Sequence, residues 1–183
     1  MWQPDPVRQR NANHTVEDLL DHPGDDRYEV TDGILRVIPS RSARHQSACA
    51  LLTSWLSERA PHHLTAVQQV SIAFALDSTR EADVLLARRG QTHDRQAFLR
   101  PFAVELVAEV VAPGSAHTDR VLKPAEYAAA GIPHYWRIEQ NPVHVYAYEL
   151  GADGHYALVA DSADLLEVER PFPIRLPIAE ITP

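Results

Sequence analysis

Asp83 and Glu109 each interrupt a run of apolar residues. Asp83 stands in Arg80-Glu81-Ala82-Asp83-Val84-Leu85-Leu86, and Glu109 in Val104-Glu105-Leu106-Val107-Ala108-Glu109-Val110-Val111. The second run, bounded by Pro101 and Pro113-Gly114, reads as a strand covered on both faces. A carboxylate near the end of such a strand is costly unless a cation compensates it. A metal ion or a lysine would do so, and Lys123 follows Glu109 by 14 positions. Two strand-borne carboxylates and a lysine are the parts of a hard-cation site for phosphate chemistry.

The neighbouring elements must position these groups. Residues 1–13 are polar and proline-containing, and are expected to form a frayed arm. Thr15-Val16-Glu17-Asp18 resembles a capping box and predicts a short helix over 15–21, stopped by His22-Pro23-Gly24-Asp25-Asp26. Asp32-Gly33 between Arg27–Val30 and Ile34–Ile38 predicts a β-hairpin. Ala48, Leu51, Leu52, Trp55 and Leu56 recur at helical spacing within a helix from Ala43 to Glu58. A strand from Leu64 to Leu76 then turns at Asp77-Ser78-Thr79 into the Asp83 strand, and residues 88–100 read as a polar loop with a short helix.

After the Glu109 strand, a helix is expected from Thr118 or Asp119 to Ala130, closed by Gly131. Pro124 must either begin its regular part or kink it. Strands follow over 133–138, 143–150 and 155–159, and residues 161–183 read as a wrapping tail.

Composition narrows the class. The 183 residues, 45% hydrophobic, suffice for one well-cored domain spanning 1–183. No apolar run approaches the ~20 residues that cross a bilayer. The first residues lack the pattern of a signal peptide, and the single cysteine, Cys49, excludes an internal disulfide and a cysteine-based zinc site. A cytoplasmic protein without a membrane partner is the simplest reading. A net charge of −8, from 17 basic and 25 acidic residues, argues against a dedicated DNA-binding module. It argues less against an enzyme whose acidic groups hold cations.

An ordered set of short motifs carries a resemblance. It runs from Tyr28-Glu29 with Asp32-Gly33 through His45, Asp83, Glu109-Val110 and Pro113 to Asp119, Lys123, Tyr127, Ala130-Gly131-Ile132-Pro133 and Tyr135-Trp136. Over about residues 15–160 the chain resembles the Uma-two family, restriction endonucleases by family name, within the PD-(D/E)XK nuclease superfamily. The resemblance implies an α/β (α+β) restriction-endonuclease-like core, a mixed central β-sheet flanked by helices, with an N-terminal hairpin. It implies a Mg²⁺- or Mn²⁺-dependent endonuclease that hydrolyses DNA. Its metal ligands would be Asp83 and Glu109, with Lys123 and Glu29 as further catalytic residues, Glu29 in the metal's outer shell or on a second ion. A homodimer is implied by analogy, because two strands call for two sites.

The chain departs from that pattern at three positions. The superfamily's lysine commonly lies two residues after the second carboxylate, where Val111 stands, and Lys123 matches a position on the next helix. Ala82 replaces the proline before the aspartate, and Ala112 replaces a serine before Pro113. The alternative is a nuclease fold used for binding or regulation without turnover. On the residues alone, His45 and Lys123 would as readily be helix-surface groups, Glu105 a solvated strand start, and Cys49, Tyr127, Tyr135 and Trp136 core packing.

Overall fold

The structure, a computed structural model, describes residues 13–19, 27–91 and 98–183. All but Asn13 of the expected frayed arm, the helix stop at 22–26 and residues 92–97 of the 88–100 loop therefore lie outside the described residues. Among the described residues no helix is long and apolar enough to cross a membrane.

The hairpin pairs β1 (Tyr28–Thr31) with β2 (Ile34–Val37). Asp32 and Gly33 take φ of 51° and 73°, the left-handed geometry such a two-residue turn needs. Of the helix expected over 15–21, the described residues 15–19 form a turn rather than a regular helix, Asp18 N–H donating to Thr15 O at 3.1 Å, and residues 20 and 21 lie outside the described residues. The cap forms, since Thr15 N–H reaches Asp18 Oδ2 at 2.6 Å. This turn is tied to the hairpin and to Leu76: His14 N–H bonds Gly33 O and Val16 N–H bonds Leu76 O.

Helix α1 spans Ala43–Arg59, and its N-cap Ser42 accepts the His45 amide at 3.2 Å. Its buried face is His45, Ala48, Cys49, Leu52, Trp55 and Leu56, while Leu51 is exposed. Strands β3 (Leu64–Ala75), β4 (Ser78–Arg88), β5 (Phe98–Leu99), β6 (Val104–Val110), β7 (His134–Gln140), β8 (Val143–Leu150) and β9 (Tyr156–Ser162) form one sheet ordered β5-β3-β4-β6-β7-β8-β9. The β3–β5 and β6–β7 pairs are parallel and the others antiparallel. The sheet is mixed, as expected.

Alternation splits the core between the two faces. Val84, Leu86, Leu106, Ala108 and Val110 pack with α1, and Leu85, Ala87 and Val107 pack on the other face with Tyr127, Ile132 and Tyr135. The tail folds back as the antiparallel pair β10 (Leu165–Val168) and β11 (Ile174–Pro177), followed by a 3₁₀ turn at Ile178–Ile181. Leu166, Leu176, Ile178 and Ile181 are buried in the α1-side core, so this tail supplies part of the layer that covers the sheet.

The connection after β6 resolves the Pro124 problem. Residues Thr118–Leu122 form a π-helical turn that runs directly into α2 (Lys123–Ala129). Lys123 N–H donates to Thr118 O, but Pro124 has no amide to give the next carbonyl, Asp119 O. The Tyr135 hydroxyl donates to that oxygen instead, at 2.5 Å. Gly131, at φ 76°, closes the helix, with Ile132 N–H returning to Tyr127 O at 3.0 Å.

Candidate active site

The site forms where β4 and β6 part. Their ladder pairs Val84 with Ala108, and beyond that point β4 continues with β3 alone while β6 continues with β7. Extending the register one step would set Asp83 opposite Glu109. Alternation also breaks here: Ala82 packs with the α2-side cluster although Leu85 does too. On β3, Gln69, which falls between the Gln68–Val84 and Val70–Ala82 pairs, has φ 56°. The distortion leaves Asp83 in the seam rather than squarely on one face.

An open seam leaves backbone groups that water cannot reach, and each must find a partner. Val110 N–H donates to Asp83 Oδ2 at 2.9 Å. Glu81 O accepts from Lys123 Nζ at 2.8 Å. The charged side chains thus replace ladder hydrogen bonds.

Each carboxylate is anchored by one oxygen. Asp83 Oδ2 also meets His45 Nε2 at 3.1 Å, and its Oδ1 has Arg41 Nη2 at 4.0 Å. Glu109, 0% exposed, accepts the Tyr127 hydroxyl at Oε1 (2.6 Å) and Lys123 Nζ at Oε2 (2.9 Å). Lys123 is 3% exposed. Its ammonium also lies 3.8 Å from Asp119 Oδ1, while Asp119 Oδ2 accepts a short hydrogen bond from Ser115 Oγ. Asp119 is 0% exposed, and its Oδ1 has no hydrogen-bond partner among the described residues.

These surroundings set the charges. Burial would raise the Asp83 carboxyl, but the His45 hydrogen bond, Lys123 and Arg41 outweigh it and hold it down at about 2. Burial pushes Glu109 well above the carboxylate range against the pull of Lys123, and pushes Asp119 up as well. Burial alone would discharge Lys123; Glu109, Asp83 and Asp119 together raise it above its ordinary value. Lys123 is the cation of the seam.

All four sequence-predicted residues are now placed. Asp83, Glu109 and Lys123 come together in the seam. Glu29 sits beside it, its Oε1 accepting the Glu81 amide at 2.9 Å and its Oε2 facing Arg80 Nη1 at 3.3 Å. Arg80 is in turn held by a two-point pair with Glu126. His45 is a correction to the surface reading: it is 1% exposed, because His45-Cys49-Leu52-Leu56 form a stripe at four-three-four spacing. Glu105 is half-buried beside Arg88. Tyr127 and Tyr135 are buried as expected, yet both hydroxyls serve the site.

A cleft of about 770 Å³ opens beside the seam, lined in part by Glu29, Arg41, Asp119 and Lys123; Asp83 and Glu109 lie behind these and are not among its lining residues. The donors are oxygen-rich, with Asp119 Oδ1 buried and without a hydrogen-bond partner among the described residues, which is the donor type a hard divalent cation takes. His45, Cys49 and Asp83 also offer ligand atoms within 4.8 Å of one another. A softer metal there would need the Cys49 thiolate, and burial, with Asp83 and Glu109 nearby, pushes that thiol far up.

The fold is of the restriction-endonuclease-like class. It superposes on the crystal structure of a protein from Anabaena variabilis, titled a "putative nuclease belonging to DUF820", with TM-score 0.70 at 15% identity, covering 91% of this chain and 96% of that one. NucC from P. aeruginosa, in a form bound to cAAA, matches 49% of this chain and 52% of its own at TM-score 0.34 and 13% identity, too low to define a shared fold. No curated protein matches. The chain belongs to the Uma2 family, described as "Putative restriction endonuclease", which it matches over residues 16–179.

Proposed function

We propose that this chain is a divalent-metal-dependent endonuclease that hydrolyses DNA phosphodiester bonds. The observation that carries the reading is the Lys123 ammonium, 2.9 Å from Glu109 and buried in the seam beside Asp83 rather than turned to solvent. Membership of the Uma2 family supports it. When bound, Mg²⁺ or Mn²⁺ would supply Lewis-acid charge and a hydrolytic water of lowered pKa. Asp83 and Glu109 would hold it. His45, with the Val110 amide, orients Asp83, and Tyr127 orients Glu109. Lys123, held charged by three carboxylates, faces the cleft and meets the scissile phosphate or the water.

The charge distribution answers the objection from net acidity. The cleft is lined by Arg36, Arg41, Arg44, Arg120 and Lys123 against Glu29, Asp119 and Glu139. The lining is net positive in a chain of net charge −8, so the site offers phosphate contacts that the whole molecule does not. Glu29 takes the role of holding Arg80 and the β4 backbone beside the site. Cutting both strands of a duplex calls for two such sites, hence a homodimer.

The binding or regulatory alternative rests on one observation: both Glu109 oxygens are already engaged. Cleavage of supercoiled plasmid and of single-stranded DNA under Mn²⁺ and Mg²⁺ separates the two. Cleavage lost at least 100-fold in both Asp83→Asn and Glu109→Gln, in protein still folded, is the expected result. Wild-type cleavage that survives both substitutions would overturn the assignment.

A further inference from the structure

Three carboxylates in and beside the seam share one arrangement. Each has one oxygen fixed by a neighbouring donor and the other facing a basic side chain: Asp83 by His45 and Val110 N–H, with Arg41 4.0 Å from Oδ1; Glu109 by Tyr127, with Lys123 bonded to Oε2; Asp119 by Ser115, with Lys123 3.8 Å from Oδ1. The remaining oxygens are Asp83 Oδ1, Glu109 Oε2 and Asp119 Oδ1. Only the last is buried without any hydrogen-bond partner among the described residues, and its residue lines the cleft. A buried carboxylate oxygen left unsatisfied is costly unless a cation is there to meet it. The nearest cation is Lys123, in contact with Glu109 at 2.9 Å but 3.8 Å from Asp119.

The local backbone explains how Asp119 comes to be there. It lies on the π-helical turn, a distortion that often marks function, and Lys123 follows it by four positions. Pro124 denies the Asp119 carbonyl its helical donor, and Tyr135 fixes that carbonyl at 2.5 Å. Asp119 is thus tied at Oδ2 by Ser115 and at its backbone by Tyr135. Such double fixing is unnecessary for a solvated helix residue.

We propose that Asp119 is a third cation-binding carboxylate of this site, and that the Lys123 ammonium stands between Glu109 and Asp119 as the counterion that a divalent cation displaces. This rests on the metal-dependent reading above. It adds a consequence that reading lacks: divalent binding and the position of Lys123 are linked. A cation that satisfies Asp119 Oδ1 and shares Glu109 releases Lys123 from part of its pairing toward the cleft, where a substrate phosphate would take it up. The three remaining oxygens do not form a closed set as they stand, so a cation held by them would require the carboxylates to shift from these positions.

Mn²⁺ alone is the probe, titrated calorimetrically into the full chain without DNA. Asp119→Asn is expected to weaken Mn²⁺ binding at least tenfold, and Asp83→Asn as much or more. Unchanged Mn²⁺ affinity in folded Asp119→Asn, alongside weakened binding in Asp83→Asn, would overturn the role of Asp119 and leave the nuclease reading standing. Absence of Mn²⁺ binding by the unsubstituted protein would overturn both. Lys123→Met gives a second test that does not depend on the asparagine variant. If the ammonium competes with the divalent ion, saturating Mn²⁺ should raise the melting temperature of Lys123→Met by more than that of the unsubstituted protein. An equal or smaller shift would overturn the displacement.

Discussion

The β4–β6 seam has two halves built from the same two strands. In the closed half, Val84, Leu85, Leu86 and Ala87 pair with Ala108, Val107, Leu106 and Val104, all apolar and buried, and only the half-buried Glu105 breaks the run. In the open half the ladder stops, and Asp83, Glu109 and Lys123 occupy equally buried positions. The difference teaches where a sheet tolerates interior charge. Orphaned backbone groups such as Val110 N–H and Glu81 O need polar partners, so ionised side chains there meet a demand the closed half never makes. The groups assigned to chemistry are also the groups that seal the seam.

That comparison can be broken most easily at its open end. Lys123→Ala removes the shared cation from Glu109, Asp119 and the Glu81 carbonyl, and should cost about 3–5 kcal/mol in urea denaturation. A loss under ~1 kcal/mol would mean that the seam does not depend on it. In the closed half, Leu106→Ala should cost about 3 kcal/mol through a cavity, with no change in Mn²⁺ affinity. A change in metal binding there would show that the halves are not separate.

Acid sharpens the contrast. Asp83 is depressed from 3.8 to about 2, so its stabilisation is fully present above pH ~4 and is lost as pH falls through about 2. Stability should therefore drop by about 2 kcal/mol more in the unsubstituted protein than in Asp83→Asn between pH 5 and pH 2. Parallel acid limbs would contradict the assignment. The smallest effect belongs to an exposed pair at the far end of the same strands: Arg88→Ala, which breaks its 2.9 Å contact with Glu105, should change stability by less than ~0.5 kcal/mol.

Much of this was legible in the sequence. Asp32-Gly33, the helical spacing in α1 and the apolar runs around Asp83 and Glu109 each carry a local signal, and local signals survive folding when burial agrees with them. Asp83, Glu109 and Lys123 stood out because charge inside apolar pattern demands a partner. The point at which the ladder ends was not legible, because it depends on the divergence of β4 and β6 and on the left-handed Gln69 of β3. Asp119 is legible only through its place four residues before Lys123 on a helical segment, a sign that the two share a face. His45 looked like surface because Leu51 was counted into the apolar face of α1, whereas the buried stripe runs through His45 and Cys49. The links that hold the 15–18 turn, His14 N–H to Gly33 O and Val16 N–H to Leu76 O, are contacts distant in sequence and were not legible there.

The most direct test is diffraction from crystals soaked in Mn²⁺, using its anomalous signal to locate the ion. The account predicts a peak in the open half of the seam, against the carboxylates of Asp83 and Glu109, that is absent in Asp83→Asn crystals. A peak elsewhere with the seam empty at saturating Mn²⁺, or one that persists unchanged without the Asp83 carboxylate, would contradict it.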